Sequence, residues 1–258
     1  MKKGWIVFIG IVVVIVLVLG WFGLIPGLST LMGANKPVDL GVKYTQEDFN
    51  KAHAQSGVGY EAIAGDPAAS ASISFAGSHE VNTSWTSAEI TSLLNNRPWK
   101  YWPIKNVQLR INPDNTIEMS GVYNEKKLEG YAAGIGTPQV VIDKLSILPA
   151  EAAFYGKGTA ALSNNQVSKF DITSAKLNRI PIPTGILLSI NTIAANHAYA
   201  ADGVTDELSK YSGKKQAVVN FINEKLAWVS GFYAKSAQFK DGKLEFDGSL
   251  SDKIISAQ

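Results

Sequence analysis

The sequence predicts an α+β protein, in which an N-terminal transmembrane helix is followed by a curved antiparallel sheet of hairpins packed against helices. Three observations indicate this class. The chain opens with a long apolar run, helical and strand-like segments alternate along the remainder, and the strand-like segments come in pairs joined by short turns rich in Asn and Asp.

The first element is the apolar run from Trp5 to Ile25. No charged residue occurs between Lys3 and Lys36, and about 20 apolar residues suffice to cross the hydrocarbon layer of a bilayer. Because two lysines precede the run without an acidic neighbour, the N-terminus is expected in the cytoplasm and the rest of the chain outside it. Residues 1–27 are therefore predicted to be a single-pass signal anchor in the cell membrane, with a short cytoplasmic N-terminus.

A cleaved signal peptide is the alternative to a retained anchor. Its apolar segment is usually about 7 to 15 residues long, which is shorter than this run, although Gly27-Leu28-Ser29 would serve as a cleavage site. Gly23 and Gly27 have the spacing of a helix-dimerisation motif, but Pro26 lies between them and favours a turn that ends the helix.

Residues 28–41 are predicted to form a short stalk, and residues 42–258 an extracytoplasmic domain. The chain contains no cysteine, so the domain must be held by packing alone, and thiol catalysis and cysteine metal sites are excluded. Because 24 Lys and Arg face 22 Asp and Glu, the exported part is near neutral and no nucleic-acid surface is expected. Plentiful Ala, Ser and Gly suit a protein of the bacterial cell envelope.

The domain begins with a helix that Thr45 caps and that ends near Gly57. A loop over residues 65–70 precedes strand-like residues between Ile73 and Trp85. The capping box Thr86–Glu89 then opens a second helix, which ends before the next proline.

The clearest hairpin follows this helix. Residues 107–111 and 117–123 alternate apolar and polar side chains around a turn at Asn112–Asn115, which predicts one buried and one wet face. Pro138 then opens a short helix that reaches Leu145.

A second hairpin turns at Asn164–Asn165, and Pro181–Pro183 connects it to a helix from Thr184 to about Tyr199. That helix is apolar over most of its circumference, so it is expected in a central position or against a ligand. An amphipathic helix through residues 218–229 and a third hairpin, turning at Asp241–Gly242, complete the chain.

Residues 86–124 and 214–251 share the order helix, linker and hairpin. Their closing strands, Ile117–Tyr123 and Leu244–Leu250, are similar in sequence. Duplication of one unit would explain this similarity; the alternative is that any helix followed by a hairpin has such a pattern.

No catalytic residue, metal site or cofactor is predicted, and a non-enzymatic role is expected. The three histidines, His53, His79 and His197, are far apart in the sequence, and the neighbours His79 and Glu80 would point to opposite faces of a strand. The sequence contains no serine-hydrolase elbow, phosphate loop, dinucleotide fingerprint or zinc-protease motif.

An aromatic cluster follows the second helix of the domain. Trp99, Tyr101 and Trp102 are interleaved with lysines, which is typical of a patch that contacts lipid headgroups or a partner. The alternative is that Trp99 and Trp102 fix the link between helix and hairpin onto the core while the lysines extend outward.

Four features occur in order along the chain: the single anchor, the Thr-x-x-Glu helix start followed by Leu-Leu-Asn (Thr86–Asn95), the Ile-Pro-Ile-Pro segment (Ile180–Pro183) and the closing hairpin at Asp241–Phe246. Together they resemble the YpmS-like proteins of Gram-positive envelopes and, more distantly, tubular lipid-binding (TULIP-like) domains. The resemblance implies a curved sheet around an apolar helix, with a groove for acyl chains, and it supplies no catalytic residue. The helix at Thr45 and the loop after Gly65 have no counterpart in that pattern.

The sequence therefore predicts a membrane-anchored extracytoplasmic module that binds a lipid or other apolar ligand between the sheet and the helix from Thr184. The residues expected to line this groove are Ile186, Leu187, Ile190, Ile193, Leu226 and Trp228. The alternative is a cell-envelope scaffold or a subunit of a membrane protein complex, which would bind its partner through a sheet edge or the patch at Trp99 to Trp102.

Overall fold

The computed structural model describes residues 14–19, 21, 28–146, 148–183 and 214–258. They form an α+β fold with a strongly curled antiparallel sheet, shaped as a half-barrel, and a few helices, which confirms the predicted fold class for the domain. None of the described helices is long and apolar enough to cross a membrane. The predicted span from Trp5 to Ile25 lies mostly outside the described residues; within it, residues 14–19 are helical and exposed.

Helices and strands alternate along the described chain. The helices are α1 (Leu28–Leu31), α2 (Gln46–Ser56), α3 (Ser87–Asn95), α4 (Glu125–Gly134), α5 (Gln139–Leu145) and α6 (Lys214–Trp228). The strands are β1 (Gly59–Ala62), β2 (Ile73–Ala76), β3 (His79–Thr86), β4 (Ile104–Ile111), β5 (Ile117–Asn124), β6 (Glu151–Ser163), β7 (Gln166–Leu177), β8 (Ile180–Pro181), β9 (Tyr233–Lys240), β10 (Lys243–Leu250) and β11 (Lys253–Ser256).

Local sequence signals set the ends of α2 and α3. The side chains of Thr45 and Thr86 each accept a hydrogen bond from the backbone N–H three residues later. The acidic side chain at that later position accepts one from the backbone N–H of the threonine, so both starts are capping boxes. The two predicted helix starts are confirmed. Helix α2 ends where Gly57 adopts the left-handed conformation, with φ of 65°.

The three predicted hairpins are confirmed as the pairs β4–β5, β6–β7 and β9–β10. Their turns contain residues with positive φ, which are Asn164 and Asn165 in the second and Asp241 and Gly242 in the third. Two successive residues with positive φ match the right-handed twist of the flanking strands, which is why Asn and Gly occur there.

Strand β6 is the central strand of the half-barrel, since it pairs with β5, β7 and β9. One of its edges pairs with β7 along residues 154–163, and the other pairs first with β5 and then, at residues 161–163, with β9. The arm β5–β4 and the arm β9–β10–β3 therefore diverge from the same edge of one long strand, which curls the sheet.

Helix α3 bridges the two arms through side chains. Thr86 ends β3 and caps α3, and the helix then lies along the outer edge of β4. Its residues Ser87, Thr91 and Asn95, four apart, accept hydrogen bonds of 2.9, 3.0 and 2.9 Å from the backbone N–H groups of residues 111, 109 and 107. Four residues of helix rise about 6.0 Å and two residues of strand about 6.7 Å, so the two spacings match.

A second, three-stranded sheet has the order β1–β11–β2. Strand β11 pairs in parallel with β1 and antiparallel with β2. This sheet was not predicted, because its strands are only four residues long. A core cluster packs on the arm β9–β10–β3 of the half-barrel and consists of Ala52, Val81, Trp85, Ala234, Ala237 and Phe246.

The segment predicted to be a stalk lies against the domain. Gln108 accepts hydrogen bonds from the backbone N–H groups of Leu40, at 2.7 Å, and Val42, at 3.3 Å. Arg179, in the turn before β8, donates to the carbonyl of Met32 at 2.9 Å, and its guanidinium carbon lies 3.7 Å from the centre of the Trp21 ring. These contacts fix residues 28–42 to the sheet.

The two predicted helix–hairpin units pack differently. Helix α3 contacts β4 of its own hairpin, whereas α6 contacts β7. Whether the two units arose by duplication stays a prediction.

Candidate functional site

A cavity of about 450 Å³ lies between the three-stranded sheet and the β3–β10 arm, with α3, α4 and α6 at its sides. The aromatic residues among those that line it are Tyr60, Phe75, Trp85, Trp99, Trp102, Tyr131, Trp228 and Phe232. The aliphatic ones include Ile73, Ile90, Leu93, Leu94, Leu226, Val229, Leu244, Leu250 and Ile254. The wall is therefore apolar over most of its area.

Ring-to-ring contacts hold this wall in place. Phe75 meets the edge of Trp228 with 5.6 Å between ring centres. Tyr131 packs between Trp99, at 5.1 Å, and Trp102, at 5.9 Å. Aromatic pairs add stability beyond the area that they bury, so these contacts help to hold the aromatic side of the cavity together.

The two tryptophans of the predicted patch face inward. Trp99 is 6% exposed and its indole N–H donates to Ser72 Oγ at 3.1 Å, while that of Trp102 donates to the Leu94 carbonyl at 2.7 Å. Both rings line the cavity. Tyr101 lies against α4 instead, and a role of the three residues toward a membrane or a partner stays a prediction.

Helix α4 approaches these rings through two glycines, Gly130 and Gly134. A Cβ atom on Gly130 would lie 2.1 Å from the Tyr101 ring, and one on Gly134 would lie 2.6 Å from the Trp99 ring. Since real Cβ contacts are never so short, only glycine allows the helix this close. The sequence interpretation missed α4 for the same reason: glycine lowers helix propensity. The Asn124 cap, which accepts from the Lys127 N–H, was the available signal.

The predicted groove residues fall into two groups. Leu226 and Trp228 on α6 line the cavity, whereas Ile186, Leu187, Ile190 and Ile193 lie outside the described residues. A second cavity, of about 370 Å³, runs along β6 and β7 and includes Ile182, close to the predicted start of that helix. Whether any of these residues bind a ligand stays a prediction.

Sequence reasoning missed most of the cavity wall. Trp85, Phe232 and Ile254 come from separate strands and linkers, and only the tertiary fold brings them together. Their apolar character is typical of core residues, but nothing local indicates a common cavity.

Among the described residues that line the cavity, only Arg97 and Lys225 carry a charge. The Arg97 guanidinium carbon lies 5.5 Å from the centre of the Trp102 ring, and Arg97 Nη1 is 3.4 Å from the Tyr60 hydroxyl. Lys225 Nζ donates to the Gly136 carbonyl and contacts Glu224, both at 3.3 Å. The charged groups at the cavity are therefore both cations.

The histidines have separate surroundings. The His53 ring stacks between Phe49 and Tyr60. His79 Nε2 is 2.9 Å from the Ser56 carbonyl and Nδ1 is 2.8 Å from Asp252 Oδ1; these two hydrogen bonds raise the pKa of His79. His197 lies outside the described residues.

Glu89 is the most deeply buried carboxylate described, at 2% exposure. Burial alone would raise its pKa, but hydrogen bonds from Lys51, at 2.6 Å, and from Thr86 outweigh burial and leave the pKa of Glu89 below its usual value. Its partners show that Glu89 has a structural role in the start of α3.

No family model, curated protein or solved structure matches the chain. The resemblance to YpmS-like and TULIP-like proteins therefore stays a prediction.

Proposed function

We propose that this chain is a membrane-anchored extracytoplasmic module that binds a lipid or other apolar ligand in the cavity between its two sheets. The cavity carries the proposal. Its volume of about 450 Å³ lies in the range of known ligand pockets, roughly 300–1,000 Å³. Filling it would remove aromatic and aliphatic surface from water, which favours binding by about 25 cal/mol per Å².

The N-terminal run supports the membrane location. The apolar run from Trp5 to Ile25 contains no charged residue, and Arg179 holds the chain a few residues after it, at Met32, against the domain. If the run spans the bilayer, the cavity lies close to the membrane surface, where an apolar ligand is available.

The test is to purify the full chain from membranes in mild detergent and to identify bound lipid by extraction and mass spectrometry. We expect a lipid at near-stoichiometric amount in the wild type. Leu226→Trp should abolish it, because the larger side chain occupies the cavity. Ala227→Trp, the same substitution at an exposed neighbour on α6, is the matched control and should retain the lipid.

Two results together would contradict the proposal: no lipid in the purified chain, and no binding of a fluorescent fatty acid after delipidation. The envelope scaffold would then be the better hypothesis. Its specific support is that β1 and β2 are the outer strands of the three-stranded sheet, and outer strands can pair with a partner's strand.

A further inference from the structure

The charged side chains in the described cavity lining are all positive. Arg97 and Lys225 are the only charged residues in the described part of its lining. An anionic group would pair with these cations and accept charge-assisted hydrogen bonds from them, which are about twice as strong as hydrogen bonds between neutral groups.

Both cations lie near α4, which forms one side of the cavity. Arg97 lies over Trp102, whose ring packs against Tyr131. Lys225 bonds to the carbonyl of Gly136, in the turn that follows α4. Tyr131 and Gly136 are five residues apart, so the two cations flank one short segment of chain.

Lys225 already has partners within the fold. Lys225 completes the hydrogen bonding of the turn after α4 and contacts Glu224, as a lysine near a helix C-terminus often does. Arg97 differs, because no described acidic side chain lies within ion-pair distance of it. Its hydrogen bond to the Tyr60 hydroxyl is long, at 3.4 Å. The guanidinium therefore retains donors for a further acceptor.

Tyr131, near Arg97, supplies a further donor. It lines the cavity, and burial raises its pKa, a rise that nearby Arg97 partly offsets. The hydroxyl therefore keeps its proton at neutral pH and can donate a hydrogen bond.

We propose that the ligand is an anionic amphiphile, whose carboxylate or phosphate group lies against Arg97 and the Tyr131 hydroxyl while its apolar body lies along the aromatic wall, with Lys225 adding positive charge from the turn after α4. This inference rests on the proposed function and narrows it to one ligand class. Arg97 sets the preference for a charged headgroup, and the aromatic residues hold the apolar body.

The test compares two probes of equal apolar shape, cis-parinaric acid and its uncharged methyl ester, on the delipidated full chain. Energy transfer from the cavity tryptophans reports binding. The wild type should bind the acid at least about tenfold more tightly than the ester, which corresponds to one charge-assisted hydrogen bond. Competition by unlabelled palmitate and by a lysophosphatidate then distinguishes a carboxylate headgroup from a phosphate.

Arg97→Gln should lower the affinity for the acid about tenfold and leave that for the ester within about twofold, with Lys225→Gln acting in the same direction. Lys100→Gln is the matched control, since Lys100 is an exposed lysine that pairs with Asp66 away from the cavity lining, and it should change neither affinity. Equal binding of acid and ester by the wild type overturns this inference alone. Failure of both probes to bind overturns the proposed function as well.

Discussion

His79 joins two distant segments through both nitrogens of its ring. Its acceptors are the Ser56 carbonyl at the end of α2 and Asp252 in the turn before β11. A neutral imidazole has only one N–H, so both bonds can be donated only by the protonated ring. Gly57 leaves room for this contact, because a Cβ there would lie 2.6 Å from His79 Nε2.

The raised pKa of His79 predicts a specific pH dependence of stability. Folding favours the protonated ring, so its contribution is fully present below the unfolded pKa of about 6.5 and is lost as the pH rises through the higher folded value. We expect the free energy of unfolding to contain a small component that is fully present below about pH 6.5 and is lost as the pH rises through the raised pKa of His79 in the folded protein. Urea denaturation at several pH values measures it.

His79→Gln is the variant that isolates this component. The glutamine retains hydrogen bonding but does not titrate, so the difference from wild type should shrink as the pH rises. A difference that is the same at all pH values would show that His79 does not contribute through its charge.

The orientation of single side chains was predictable from the sequence, but their partners were not. Placing His79 and Glu80 on opposite faces of a strand was confirmed, since Glu80 pairs with Lys235 at 2.7 Å while His79 faces Asp252. The identity of these partners could not be predicted, because Asp252 is 173 positions away from His79 and no local pattern connects the two residues.

Among the elements, α3 takes the place of a neighbouring strand at the outer edge of β4, because its side chains bond to the β4 backbone. Asn95 is the most important of its three bridging residues, because its amide both accepts from the Val107 N–H at 2.9 Å and donates to the Val107 carbonyl at 2.8 Å. Val107 is 1% exposed, so water has little access to replace these bonds.

Asn95→Ala should therefore lower the free energy of unfolding by about 2 kcal/mol, because it leaves two backbone groups without partners in a poorly hydrated place. Asn96→Ala is the control, since Asn96 is exposed and, among the described residues, its side chain bonds only to the Ser92 carbonyl of its own helix. It should cost less than about 1 kcal/mol. Equal losses in chemical denaturation would refute the special role of Asn95.

Except for α4, elements with clear local signals were predicted, and those without them were not. The capping boxes at Thr45 and Thr86 and the turns at Asn164 and Asp241 lie within a few residues of the structure that they specify. Strands β1 and β11 are four residues long and pair across most of the chain length, as in Gly59 with Lys253. Such pairing depends on the tertiary fold and leaves no local period to detect.

In the whole molecule, β11 connects otherwise separate regions. It lies between β1 and β2, and beyond it the backbone of Ala257 bonds to Ser72 and Lys100. Ile254 on this strand is 9% exposed and lines the cavity. The wall of the proposed binding site therefore depends on residues from both ends of the domain.

Ile254→Asn should destabilise the protein by about 3 kcal/mol, since it removes buried apolar surface and buries an amide. It should also reduce binding of the fluorescent fatty acid. Lys253→Asn places the same residue on the exposed side of the strand and should leave both properties nearly unchanged. Thermal unfolding and probe titration measure the two effects, and an Ile254→Asn variant as stable as wild type would contradict this role of β11.

The fold class was predictable from the sequence, but the position of the cavity was not. Hairpin patterns predict a curved antiparallel sheet, and the apolar helix from Thr184 is predicted to form one wall of a groove. Leu226 and Trp228 do line the cavity, but its opposite wall comes from the three-stranded sheet, whose long-range pairing had no local signal.

The way in which α3 covers β4 has a consequence for association between copies of the chain. An uncovered strand edge is a template on which another molecule can add its own strand. Here three short polar side chains, Ser87, Thr91 and Asn95, occupy the N–H groups that such a strand would need. Resistance of this edge to polymerisation therefore depends on three side chains of a single helix, and shortening them would expose it to cross-chain pairing.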